Sequence, residues 1–171
     1  MKYSVLLIAF AFTSLVLQAQ DSSVLTRTPY QLTLAVDGKT YYEEQIKAVP
    51  YIFPNKSVQV YPGETIYLEV TLNDGEITAM NPVKEIVRPK ATLTLQFVQK
   101  TEKKKHSLMM LTVENPFPFD LTYEALIFTF SQKKWSKTSI IPVRAGLSGI
   151  EMWPDLITSI ALGNWKFAKT K

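Results

Sequence analysis

The sequence predicts an all-β protein, an antiparallel β-sandwich, and three observations carry that prediction. Apolar and polar residues alternate with a period of two, most cleanly over residues 65–72, where Ile66, Leu68, Val70 and Leu72 fall on one face and Thr65, Tyr67, Glu69 and Thr71 on the other. Turn residues recur roughly every ten positions, as Asp37-Gly38, Pro62-Gly63, Asn73-Asp74-Gly75, Asn81-Pro82 and Pro116-Phe117-Pro118. No stretch carries a convincing 3.6-residue apolar stripe, so no amphipathic helix is expected.

Residues 1–19 read as a secretory signal peptide. Lys2 supplies the positive start, residues 5–17 the apolar run, and Gln18-Ala19 the end, with cleavage expected after Ala19. A retained anchor is not expected, because Thr13 and Ser14 dilute a run already shorter than the roughly 18 apolar residues of a spanning helix. With no cysteine after the run, a lipid on an N-terminal cysteine is excluded. The ending Leu17-Gln18-Ala19-Gln20 resembles leaders of Bacteroidetes-type Gram-negative bacteria, and the resemblance implies export to the periplasm or cell surface. No later segment is apolar enough to span a bilayer, so no transmembrane segment is expected after cleavage.

The remaining chain is near the usual size of one domain and long enough to bury a core without staples, which fits the absence of cysteine. That absence also removes thiolate nucleophiles, redox pairs and cysteine metal sites. Losing Lys2 with the leader lowers the formal net charge of +4 by one unit, too little to argue for nucleic acid.

In chain order, residues 20–29 are polar and without alternation, and read as a flexible lead-in. Residues 31–36 place Leu32, Leu34 and Val36 on one face, and Asp37-Gly38 is a two-residue turn signal into residues 39–43, a first hairpin. Residues 46–53, interrupted by Pro50 and stopped by Pro54, read as an edge strand or extended connection. Residues 57–61, Pro62-Gly63-Glu64 and residues 65–72 make strand, turn and strand. This arrangement resembles the opening strands of immunoglobulin-like and fibronectin-type-III-like domains, which implies a sandwich of that kind.

Residues 76–80 and 83–87 read as short strands flanking Asn81-Pro82. Residues 91–98 alternate with Leu93, Leu95 and Phe97 inward, and residues 99–107, with Lys100, Lys103, Lys104, Lys105 and His106, read as a solvated hairpin loop. The next strand sets Met109, Leu111 and Val113 on one face. A proline-rich corner at residues 115–120 then separates strands, since its prolines lack the N–H a helix needs. Residues 121–130 are apolar on both faces, with Leu121, Tyr123, Ala125 and Ile127 on one and Leu126, Phe128 and Phe130 on the other. Such a strand is covered twice or presents a sticky patch, so the N-terminal half or a partner is expected over the second face. A strand over 135–143 follows, then a long connection over 144–155 with room for one helical turn near Pro154. Residues 156–167 close the fold, with a bulge at Gly163 returning Trp165 and Phe167 to the face of Ile160 and Leu162.

One sandwich over residues 30–169 is the preferred organisation; an N-terminal β subdomain over 30–88 packed on a module over 89–169 is the alternative.

Catalytic patterns are incomplete. Ser148 sits one position short of a Gly-x-Ser-x-Gly elbow, because Ile150 holds the second glycine's place, and no histidine follows it. His106 is the sole histidine, and Met109 and Met110 beside it point to opposite faces of a strand, so a metal site is not expected. Glu43-Glu44, Asp74 with Glu76, Glu114 with Asp120, and Glu151 with Asp155 are the carboxylate pairs, and acid–base work needs such a pair in a cleft. A small hydrolase on Glu151 and Asp155 is the weakest reading.

Aromatic and aliphatic side chains are the stronger functional signal. Leu126, Phe128, Phe130, Phe117, Phe119 and Trp153 are the candidate partner-binding residues, the last three as loop anchors. The sequence therefore predicts a non-enzymatic, cofactor-free, exported envelope protein docking on another envelope protein. The alternative is a carbohydrate-binding module using loop aromatics. The lysine cluster is a further candidate for anionic lipid or polysaccharide, read mainly as a solvated turn.

Overall fold

A computed structural model describes residues 25–168. The expected signal peptide and the first part of the lead-in lie outside the described residues. These form eleven strands: β1 (Tyr30–Ala35), β2 (Tyr41–Ile46), β3 (Val58–Val60), β4 (Thr65–Asn73), β5 (Glu76–Val83), β6 (Thr92–Glu102), β7 (Lys105–Glu114), β8 (Asp120–Thr129), β9 (Trp135–Thr138), β10 (Ser148–Trp153) and β11 (Ile157–Ala168). A single 3-10 turn at Pro89–Ala91 precedes β6.

The strands pair antiparallel into a five-stranded sheet, ordered β10-β7-β6-β4-β5, and a four-stranded sheet, ordered β3-β11-β8-β9, with the β1-β2 hairpin as a third unit. Both large sheets draw strands from either side of residue 88. The chain is an all-β sandwich. Alternation sets its core: Ile66, Leu68 and Val70 of β4, Leu93, Leu95 and Phe97 of β6, and Met109, Leu111 and Val113 of β7 face Leu121, Tyr123, Ala125 and Ile127 of β8 and Ile160 and Leu162 of β11. The register slips by one residue between Gly163 and Lys166, with Asn164 left-handed at φ 52°, and Trp165 returns to the buried face as expected of a bulge there.

Several elements differ from the sequence reading. Residues 76–83 form one strand running through Pro82; β5 is a sheet edge, where the missing N–H costs no ladder bond. The expected lysine loop is mostly strand: β6 and β7 pair as far as Glu102 and Lys105, and only Lys103 and Lys104 turn, both left-handed at φ 49° and 65°. The strand expected over 135–143 stops at Thr138, and only Val143 bridges back to Leu121. The connection over 144–155 contains β10, paired along β7. Finally, residues 25–29 are not a free lead-in, since Arg27 N donates to Val49 O at 3.0 Å and Thr26 bridges Pro50.

The β1-β2 hairpin buries Leu32, Leu34 and Ile46 against the core. Its turn is wider than the two residues expected, because Asp37 Oδ1 accepts from the amides of Lys39 and Thr40 at 3.0 and 2.8 Å. Gln99 of β6 ties it down, accepting from Ala35 N at 2.9 Å and donating to Ala35 O at 2.8 Å.

Candidate interaction surface

β8 lies between β11 and β9, so its outer residues sit in the middle of an open sheet face. Leu126 is flanked across the strands by Ala161 and Lys137, and Phe128 by Ser159 and Trp135. Phe130, at the strand's end, meets Tyr42 of the hairpin edge-on at 5.6 Å. Among the described residues, the hairpin thus covers this face at the Phe130 end. Farther along, Leu126 is 42% exposed and Trp135 44%, with Phe128 half-buried against the Trp135 ring at 5.4 Å. An ion pair rims the patch: Lys137 Nζ lies 3.0 Å from Glu124, which also accepts from Asn164 at 3.1 Å. Hydrogen bonds from Lys137 and then Asn164 hold the Glu124 carboxyl below the usual carboxylate range.

The three expected loop anchors are placed differently. Phe117 is only 5% exposed, with its ring 4.7 Å from that of Phe167, so the expectation of a free anchor there is overturned. The cause is Asn115, whose Nδ2 donates to Phe119 O at 2.8 Å and to Val143 O and Arg144 O at 3.2 Å, while its Oδ1 accepts from Phe117 N at 3.1 Å. The corner is folded inward by one side chain acting as its own turn template. Phe119 is half-buried, 6.3 Å from Phe167. Trp153 is not in a loop: it ends β10, half-buried, and its Nε1 donates to Thr138 Oγ1 at 3.0 Å, joining the edges of the two sheets.

The groups weighed for chemistry hold structural positions. Ser148 opens β10 opposite Glu114. His106 lies in β7, with Nδ1 3.1 Å from Gln99 Nε2 and Nε2 2.9 Å from Pro154 O. Gln99 Nε2 is the donor of that pair, so Nδ1 accepts and the imidazole proton sits on Nε2. Glu151 accepts from Ile141 N at 2.7 Å, and Asp120 pairs with Arg144 at 2.6 Å. Glu44 accepts from the Tyr42 hydroxyl at 2.5 Å. Among the described residues no three His, Cys, Asp or Glu gather to hold a metal ion.

Sequence reasoning missed two features. Arg27, 2% exposed, is a buried cation paired with Glu64 at 2.6 Å and stacked on Tyr51 at 4.4 Å; only the partnering of distant residues reveals it. β10 carries Ile150 and Met152 on the outer side of its sheet, a face on which alternation leads one to expect polar groups. Compared with protein-family models, curated proteins and solved structures, the chain finds no match.

Proposed function

We propose that this chain is an exported, non-enzymatic envelope protein that docks on another envelope protein through the outer face of the β3-β11-β8-β9 sheet. The carrying observation is the patch of Leu126, Phe128 and Trp135, large apolar side chains side by side on β8 and the edge strand β9, on a sheet face that the hairpin covers at the Phe130 end. The leader reading of residues 1–19 supports export to the periplasm or cell surface. Ser148 and His106 lie in strand ladders, Glu151 accepts from Ile141 N and Asp120 pairs with Arg144, which supports binding over turnover.

A photocrosslinking residue placed at Leu126 in the native host tests this. The expected result is an adduct with an envelope protein, absent when the same group replaces Thr71 on the outer face of the other sheet. No adduct at Leu126, or the same adduct from both positions, removes the reading. The carbohydrate alternative is weakened by the burial of Phe117 and the strand position of Trp153. A glycan array that binds the wild type and not Trp153→Ala would reinstate it.

A further inference from the structure

The geometry points to a second surface, at the tip of the β6-β7 hairpin and the adjoining outer face of β10, which meets an anionic lipid bilayer. Two observations converge there. The first is charge. Lys103 and Lys104 form the turn, Lys100 and Lys105 flank it, and the β1-β2 turn brings in Lys39, because Asp37 bridges Lys105 and His106 N donates to Val36 O at 3.2 Å. Gly38 backs so closely on this tip that a Cβ there would stand 3.1 Å from Lys105 Cγ. Five lysines thus stand with three acids, Asp37, Glu102 and Asp155, the last next to the Pro154 carbonyl that meets His106, and the Asp37 carboxylate already accepts from its own turn. Among the described residues none of the five ammonium groups is in an ion pair.

The second observation is apolar. By register, Val98, Met110 and Met152 make one row across the outer face of β6, β7 and β10; Lys100 and Leu108 make the next row toward the tip, and Ile150 lies in the row behind. Met152 is 62% exposed and Ile150 56%. The patch is therefore edged with lysines on the side of the tip.

This combination fits a bilayer surface better than an acidic protein. Lysine is a flexible point charge without arginine's paired fork, suited to a diffuse layer of phosphates rather than to one carboxylate geometry. Long Met, Leu and Ile side chains enter the headgroup and acyl boundary while the ammonium heads stay at the phosphates. Both turn lysines hold left-handed backbone, where glycine or asparagine is the ordinary choice, so the turn keeps charge at the expense of ease.

The protein is sedimented with vesicles of equal parts phosphatidylglycerol and phosphatidylcholine, and with phosphatidylcholine alone; retention on immobilised inorganic polyphosphate is the soluble-polyanion control. Binding is expected on the anionic vesicles only, weakening as salt is added. Lys103→Gly and Lys104→Gly are each expected to weaken it about fivefold. Met152→Asp is expected to weaken vesicle binding and to leave retention on polyphosphate unchanged. Glycine relaxes both left-handed positions, so the turn variants should melt no lower than the wild type. Equal binding to neutral vesicles, or wild-type binding by a chain carrying Lys103→Gly and Lys104→Gly together, overturns the proposal. So does undiminished vesicle binding by Met152→Asp, which would leave a polyanion site alone.

Discussion

Arg27 holds the segment before β1 against the rest of the fold with a full set of partners. Nε donates to Glu64 Oε1 at 2.6 Å, Nη1 to Pro50 O at 2.8 Å, and Nη2 to Gln59 O and to Glu64 Oε2, the latter at 3.1 Å. Glu64 also accepts from Tyr61 N at 2.9 Å, so one ion pair organises the Pro62-Gly63 turn and the incoming chain together. A buried pair adds little net stability over an apolar one, but removing half of it strands a charge. Arg27→Ala is expected to lower unfolding free energy by about 3–5 kcal/mol in urea titrations, and Arg27→Lys to recover little, because three N–H groups radiating from one nitrogen cannot replace four bonds spread over the three nitrogens of a guanidinium. The nearby tyrosines add a pH effect. Burial and then the Glu44 hydrogen bond push the Tyr42 hydroxyl up from 10.0 to about 12, and burial followed by Glu64 raises Tyr30 as well. Between pH 10 and 12 the unfolded chain has lost protons that the folded chain keeps, so stability present below pH 10 falls across that window. Urea midpoints measured against pH should show this decline, and Tyr42→Phe should make it shallower.

Among the elements, β4, β6, β7, β8 and β11 are legible in the sequence, because each buries one face and shows the other to solvent or to a second layer. Legibility fails where that rule does. The β6-β7 turn carries lysines at two left-handed positions, so no Asn-Gly signature marks it and its strand ends look like loop. β10 inverts the usual pattern: Gly149, Glu151 and Trp153 pair in register with the buried Val113, Leu111 and Met109, while Ile150 and Met152 face out. Its inward residues close the side of the sandwich. Glu151 caps Ile141 N, Trp153 reaches Thr138, and Gly149 makes room for Val143, which is 2% exposed. A Cβ on Gly149 would stand 2.6 Å from Val143 Cγ2. Gly149→Ala is expected to cost about 1–3 kcal/mol by overpacking. Adding Val143→Ala should return part of that loss, a coupling read from the double-mutant cycle in urea; simple additivity would show that the two residues do not compete for one space.

For the whole molecule, sheet membership was hidden even where strand positions were legible. Alternation says which face a strand buries, whereas its neighbour depends on residues distant in the chain, as with β3 pairing along β11. The least predictable arrangement is the β1-β2 hairpin, which joins neither large sheet by a strand ladder. A two-stranded ribbon is marginal alone, so its order derives from burial of Leu32, Leu34 and Ile46 and from the Gln99 amide that bonds both polar groups of Ala35. The hairpin should therefore open before the sandwich does. Native-state hydrogen exchange is expected to find the β1 and β2 amides less protected than those of β6 and β7. Gln99→Ala unpairs the Ala35 amide and carbonyl, a loss of about 1–3 kcal/mol, so exchange in β1 and β2 should quicken about five- to a hundredfold. Exchange in β8 and β11, which the hairpin does not pair with, should change far less. Equal acceleration in every strand would mean that the hairpin and the sandwich unfold as one unit, and that the Gln99 clamp belongs to the core rather than to a separable cover.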